Sequence, residues 1–175
     1  MNKKELRINA QKLRKALSVF EVSDKSNEIM DRLIPLLEGK KLIGIYMPLE
    51  NEVDVTSLLF MYDSLGIPRI RNNEEMDFFL IHSPMEVEKG MFNVLEPTSN
   101  IWIRPEDFDA IVCPLVAFDE NKNRLGHGRG YYDRYLANTK ALKIGVAYEC
   151  QKVDLIEVNA TDIAMDYIIT EAKTY

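Results

Sequence analysis

Apolar residues in the first segment fall at Leu6, Ala10, Leu13 and Leu17, the spacing of a helix with one buried face, with Lys and Arg on the remainder. A second helix is predicted from Ser23-Asp24, carrying Ile29, Leu33 and Leu37 inward and stopping at Gly39. The period then changes. Leu42 to Met47 is a short apolar run between Lys40-Lys41 and Pro48, the pattern of a buried strand. Asp54 reads as the N-cap of a helix from Val55 to Leu65 closed by Gly66. Ile67–Arg71 and Asp77–His82 read as strands joined by the polar run Asn72 to Glu75. Ser83 to Pro105 is expected to hold one short helix and much loop. Beyond it come a strand at Ala110–Leu115, a helix at Tyr131–Asn138, and strands at Lys143–Tyr148 and Tyr167–Thr170. Helices alternating with strands, several of them apolar throughout, predict an α/β domain with a mostly parallel sheet covered on both faces. Ligands of such sheets bind beyond the carboxyl ends of the strands, which directs attention to the loops after Met47, Leu115 and Tyr148.

Composition narrows the function classes. The 175 residues, 46% hydrophobic and 29% charged, suit a single globular domain over 1–175 with no repeat or linker to divide it. Twenty-eight acidic against 22 basic residues leave a net charge of -6, which disfavours nucleic acid or an anionic membrane as a broad-surface partner. The longest apolar stretch, Ala110 to Phe118, is far short of the ~20 residues a membrane span requires. The two cysteines, Cys113 and Cys150, cannot make a disulfide framework and read as reduced core thiols. These features predict a cytoplasmic protein, with a monomer as the default. His82, on an apolar strand, reads as structural.

The chemistry concentrates between Pro114 and Leu136. Gly126, Gly128 and Gly130 alternate, so the backbone can turn tightly and approach a ligand, and they lead into a helix whose first free amides attract an anion. Arg124, His127 and Arg129 add positive charge there, and arginine can grip phosphate with two hydrogen bonds. Asp133, one turn on, is a candidate oxygen ligand for Mg²⁺ beside a phosphate. The spacing is neither Gly-x-Gly-x-x-Gly nor a Walker A loop. Of Tyr131 and Tyr132, one is expected to face the core and one solvent, or a tyrosine to stack on a flat ring.

The run Phe118-Asp119 with Arg124-Leu125-Gly126-His127-Gly128-Arg129-Gly130-Tyr131-Tyr132-Asp133-Arg134 resembles the signature of 5-formyltetrahydrofolate cyclo-ligases (methenyltetrahydrofolate synthetases). The resemblance extends over the chain, through Lys3-Lys4-Glu5-Leu6-Arg7, Leu49 to Asp54, Phe92 to Pro97, and Asp162 to Thr170. It implies a three-layer α/β domain of the ribose-phosphate isomerase and CoA transferase kind. It also implies conversion of 5-formyltetrahydrofolate to 5,10-methenyltetrahydrofolate at the expense of ATP, with Mg²⁺ as cofactor and a phosphorylated formyl intermediate. Lys3, Lys4, Glu5, Leu6 and Arg7, together with Arg124, Leu125, Gly126, His127, Gly128, Arg129, Gly130, Tyr131 and Tyr132, would meet ATP, and Arg124 and Arg129 would neutralise charge in catalysis. Leu49, Asp54 and Tyr132 would touch the folate. Asp133 and Asp162 would bind Mg²⁺, with Asp166 as the other candidate for the second position, and the role of His127 is left open. Without the resemblance, Lys3, Lys4 and Arg7 are an ordinary solvated face and Asp54 a helix cap. Two other classes compete: an isomerase or CoA transferase on the same fold, which needs a carboxylate base or nucleophile, and a non-catalytic binder of folate or nucleotide.

Overall fold

The computed structural model describes residues 1–90 and 93–175. Helix α1 spans Lys3–Lys15 and α2 Val19–Leu37, and a capping box starts each one. Asn2 accepts the amide of Glu5 while Glu5 accepts that of Asn2, and Ser18 and Glu21 do the same for α2. The second box puts the start of α2 before the predicted Ser23-Asp24. Ile29, Leu33 and Leu37 are fully buried, as the spacing predicts, but on α1 the inward face is Leu6, Ala10 and Arg14, while Leu13 is exposed. Positions 13 and 14 both satisfy the helical spacing, and the structure buries the charged one.

The sheet has six strands: β1 (Ile43–Gly44), β2 (Leu65–Ile70), β3 (Met76–Ile81), β6 (Ala110–Pro114), β9 (Leu142–Val146) and β10 (Tyr167–Ile169). Their order is β10-β9-β6-β1-β2-β3, and every neighbouring pair is parallel except β2–β3. Counted as one to six along the chain, this is the 3-2-1-4-5-6 order of doubly wound sheets, with its reversal between β1 and β6. Alternate side chains fill the two faces. Ile43, Ile45, Val112, Ile144, Val146 and Ile169 pack with α2, and Phe78, Ile111, Cys113 and Ile168 pack on the other side with Tyr135 and Leu136 of α3 (Tyr131–Leu136). Each such side chain contributes roughly 1.5–3 kcal/mol when fully buried. Burial pushes the Cys113 thiol up to about 12, which leaves it an inert core group.

Several expected elements are shorter or different. Past Ile45 the chain leaves the sheet, and the Tyr46 hydroxyl donates to Val53 O at 2.6 Å, so the run to Met47 turns toward the carboxyl end instead of extending β1. The helix expected over Val55–Leu65 is a single 3₁₀ turn, Thr56–Phe60, and Gly66 belongs to β2 rather than to a cap. A Cβ there would lie 2.5 Å from the Phe108 ring, so the glycine serves close packing. Between Ser83 and Pro105 the structure holds a hairpin, β4 (Val87–Lys89) with β5 (Leu95–Pro97), and the short turn is 3₁₀ at Pro105–Asp107. Phe92 of the resemblance lies outside the described residues. No helix among the described residues is long and apolar enough to cross a membrane.

Candidate active site

Strand β6 ends at Pro114, and the chain then forms a second hairpin, β7 (Ala117–Phe118) with β8 (Arg124–Leu125). Its turn is organised by Asp119, which is fully buried. One carboxylate oxygen accepts the amides of Asn121 and Asn123 at 3.0 Å each, and the other accepts Asn123 Nδ2 at 2.9 Å and the Ile156 amide at 3.0 Å. The carboxylate of the motif's Phe-Asp is therefore a structural knot. It delivers residues 126–130 to the carboxyl edge of the sheet, where Gly128 (φ +96°) and Gly130 (φ +71°) take left-handed conformations. The far end is tied by Arg134, which donates to Glu74 O at 2.7 Å and Arg129 O at 2.8 Å, and by the Tyr131 hydroxyl, which donates to Asn72 O at 3.0 Å. Both Tyr131 and Tyr132 are part-buried and line the same cavity, so the expected split between core and solvent does not occur.

That cavity measures about 460 Å³, a size typical of small-molecule sites. It opens at the reversal of strand order, with Tyr46 and Met47 following β1 and Pro114 ending β6. One end is cationic: Lys3, Arg7, Arg124, His127 and Arg129 all line it. Helix α1 reaches this end because Arg7 Nε donates to Gly126 O at 2.8 Å and Lys3 pairs with Asp162. Arg124, 2% exposed in its side chain, pairs with Asp133 Oδ1 at 2.8 Å, and its Nε has no hydrogen-bond partner. Burial pushes the Asp162 carboxyl up, but the Lys3 ammonium, the Asn159 amide and the Arg124 charge outweigh this and hold it below the usual range.

The other end is largely apolar, with Met47, Leu49, Pro68, Ile70, Met76 and Val94, and it contains one deeply buried acid, Glu52. Glu52 accepts the Leu49 amide at 2.9 Å on one oxygen, and on the other meets His127 Nε2 at 3.1 Å and Arg14 Nη1 at 3.4 Å. Burial raises its pKa, yet the His127 hydrogen bond, the Leu49 amide and the Arg14 charge together bring it below the ordinary glutamate value.

Of the residues singled out from sequence, Lys3, Arg7, Leu49, Arg124 to Asp133 and Asp162 come together around this cavity. Lys4, Glu5, Leu6 and Asp54 do not. Glu5 is used in the capping box, Leu6 is buried in a cluster with Ala10, Val116 and Leu125, and Lys4 points to solvent. Asp54 is exposed and accepts the Thr56 amide at 2.8 Å, a local turn contact, whereas the N-cap of the 3₁₀ turn is Val55, so the expected cap role is not met. Between the two acids proposed for one position, Asp162 lines the cavity, whereas Asp166 accepts the Lys143 amide at 2.7 Å away from it. Sequence reasoning missed Glu52, together with Ile70 and Met76 of the β2–β3 hairpin. Glu52 had no local signal, because the burial of its partner Arg14 is set by the fold and not by the spacing along α1. His82, expected on an apolar strand, instead lies exposed just past β3, with Nδ1 between Ser64 Oγ and Asp63 O.

A 5-formyltetrahydrofolate cyclo-ligase from Mycoplasma pneumoniae is 33% identical over 176 residues, covering 98% of this chain and 99% of that protein. The NMR structure of Aquifex aeolicus 5,10-methenyltetrahydrofolate synthetase superposes with a TM-score of 0.88 at 36% identity, covering 99% of this chain and 92% of that one. A 5,10-methenyltetrahydrofolate synthetase structure from Mycoplasma pneumoniae gives 0.82 at 30% identity, covering 98% and 99%. The model of the 5-formyltetrahydrofolate cyclo-ligase family matches residues 1–171, and the chain belongs to that family of ligases.

Proposed function

We propose that this protein converts 5-formyltetrahydrofolate and ATP into 5,10-methenyltetrahydrofolate, ADP and phosphate. The observation that carries the reading is the mixed lining of one cavity, in which Lys3, Arg7, Arg124, His127 and Arg129 meet an apolar wall together with the buried Glu52 and the half-buried Glu96. The basic end suits the triphosphate. Lys3 and Arg7 approach from α1, Arg124 and Arg129 from the loop, and phosphoryl transfer depends mainly on positioning and charge neutralisation. Met47, Leu49 and Met76 suit the flat pterin, with Tyr132 at the boundary, and Glu52 is placed to accept hydrogen bonds from its ring nitrogens.

In this reading the formyl oxygen takes the γ-phosphoryl group and ADP departs. N10 then adds to the activated carbon, loses its proton, and phosphate leaves to give the cyclic product. An amide-like oxygen leaves only once phosphorylated, so the first step drives ring closure. No covalent protein nucleophile is required. Arg124, buried on β8, would then neutralise negative charge that spreads in the transfer, and Tyr131 and Tyr132 would wall the phosphorylated species on one side.

The carboxylates suit a magnesium ion. Asp133 and Asp162 both line the basic end, and each has one oxygen engaged by protein, Asp133 Oδ1 with Arg124 and Asp162 Oδ2 with Asn159. Mg²⁺ is commonly held by one or two carboxylates and completed by substrate phosphates, and Asp133 and Asp162 would supply the protein's share. When bound, Mg²⁺ would neutralise phosphate charge beside the arginines. The test is to mix protein, 5-formyltetrahydrofolate and MgATP and follow the near-ultraviolet absorbance of methenyltetrahydrofolate. A band that grows only in the complete mixture supports the reading. Ligand binding without a band makes the protein a binder, and neither band nor binding removes the reading.

A further inference from the structure

Arg14 lies outside the cavity and belongs to no part of the motif, yet it is buried on α1 with a side chain 6% exposed. Its Nη1 faces Glu52 Oε1 and its Nε has no hydrogen-bond partner, so the acid is its principal compensation. The backbone that presents Glu52 is secured by other groups. Asn51 (φ 58°) reaches the carbonyls of Arg14, Lys15 and Leu17 at 3.5 Å each. From the opposite side, the Tyr148 hydroxyl donates to Glu52 O at 3.1 Å and the Tyr46 hydroxyl donates to Val53 O. What Arg14 supplies is directed at the carboxylate itself. The other cationic candidate there, His127, is 43% exposed and sits on the cavity wall, where a ligand competes for it.

We propose that Arg14 is a positioning residue that fixes the orientation and charge of the Glu52 carboxylate for recognition of the folate. The inference rests on the cyclo-ligase reading and on Glu52 as its folate acceptor. Glu52 is faced by Arg14 from α1, His127 from the glycine loop, Tyr46 beyond β1, Tyr132 on α3 and Tyr148 beyond β9. Among these, Arg14 is the permanent cation, so its loss makes the carboxylate easier to protonate.

The experiment compares the full-length wild type, Arg14→Met and Arg14→Lys in steady state with 5-formyltetrahydrofolate and MgATP, with thermal unfolding as a check of the fold. Arg14→Met is expected to raise KM for the folate about tenfold and leave KM for ATP within about twofold. It should also move the acid limb of kcat/KM for the folate to higher pH, and Arg14→Lys should recover most of each change. A folate KM that does not move overturns the proposal. So do both KM values rising together, because Arg14 would then act by seating α1 as a whole. If the methionine variant does not fold, Arg14→Gln, which keeps a hydrogen bond without the charge, makes the same comparison under the same criteria. A wild type that binds both ligands and forms no product overturns the catalytic reading, whereas an active wild type with indifferent variants overturns this proposal alone.

Discussion

The two ends of the cavity are built in different ways. The basic end takes Arg124, His127 and Arg129 from one continuous stretch of chain, stabilised locally by the Asp119 turn and by Arg134, and adds only Lys3 and Arg7 from α1. The apolar end is assembled from remote pieces: the turn after β1, the β2–β3 hairpin and Val94 beside β5, with a buried acid whose partners come from residues 14 and 127. A cluster of like charges repeats one simple chemistry and can be written largely into one stretch of chain. A flat, mostly apolar ligand needs a wall with few polar points, and long-range packing supplies it.

The largest effect should come from breaking the basic end. Arg124→Met removes the buried guanidinium shared by the cavity and Asp133, and kcat/KM should fall ~10²–10³-fold, about 2.7–4 kcal/mol of transition-state stabilisation. Asp133 is 23% exposed and can regain water, so thermal stability should fall by less than the ~3–5 kcal/mol of a fully buried pair. A variant with near-normal turnover at saturating ATP would remove Arg124 from the chemistry.

An intermediate effect sharpens the contrast at the other end. Glu52→Gln should raise KM for the folate about tenfold, ~1.4 kcal/mol, with KM for ATP little changed. The same variant has a pH signature. Because folding depresses the Glu52 pKa below its ordinary value of 4.5, its ionic stabilisation is complete above that value and is lost as pH falls through the lower folded-state value. The wild type should therefore lose Tm more steeply than Glu52→Gln as pH falls below 4.5, and parallel Tm curves would contradict the assignment.

The smallest effect separates a local turn contact from a ligand contact. Asp54 accepts the Thr56 amide and hydroxyl away from the cavity, so Asp54→Ala should cost about 1 kcal/mol of stability through these lost hydrogen bonds, with unchanged KM for the folate. A tenfold rise in that KM would return Asp54 to the binding wall.

The same contrast explains what the sequence made legible. Periodicity located the sheet strands and the buried face of α2, because Ile29, Leu33 and Leu37 obey a pattern set by local geometry. It misjudged α1, where positions 13 and 14 fit the pattern equally and only the distant Glu52 explains why an arginine is taken inside. It also extended a helix to Gly66, whose small size answers to Phe108, forty-two residues on. Alternating glycines with cations beside them revealed the basic end, whereas the apolar end depends on contacts between residues 14, 52 and 127 that no window of sequence contains.

Asp119 has a consequence for affinity. A glycine-rich segment of five residues would ordinarily lose ~1–2 kcal/mol of backbone entropy per residue on being ordered around a ligand. Here four hydrogen bonds to one carboxylate before the segment, and those of Arg134 and Tyr131 after it, fix both ends during folding. The ordering cost falls largely on the folding equilibrium, so more of the interaction with an anionic ligand remains as binding free energy.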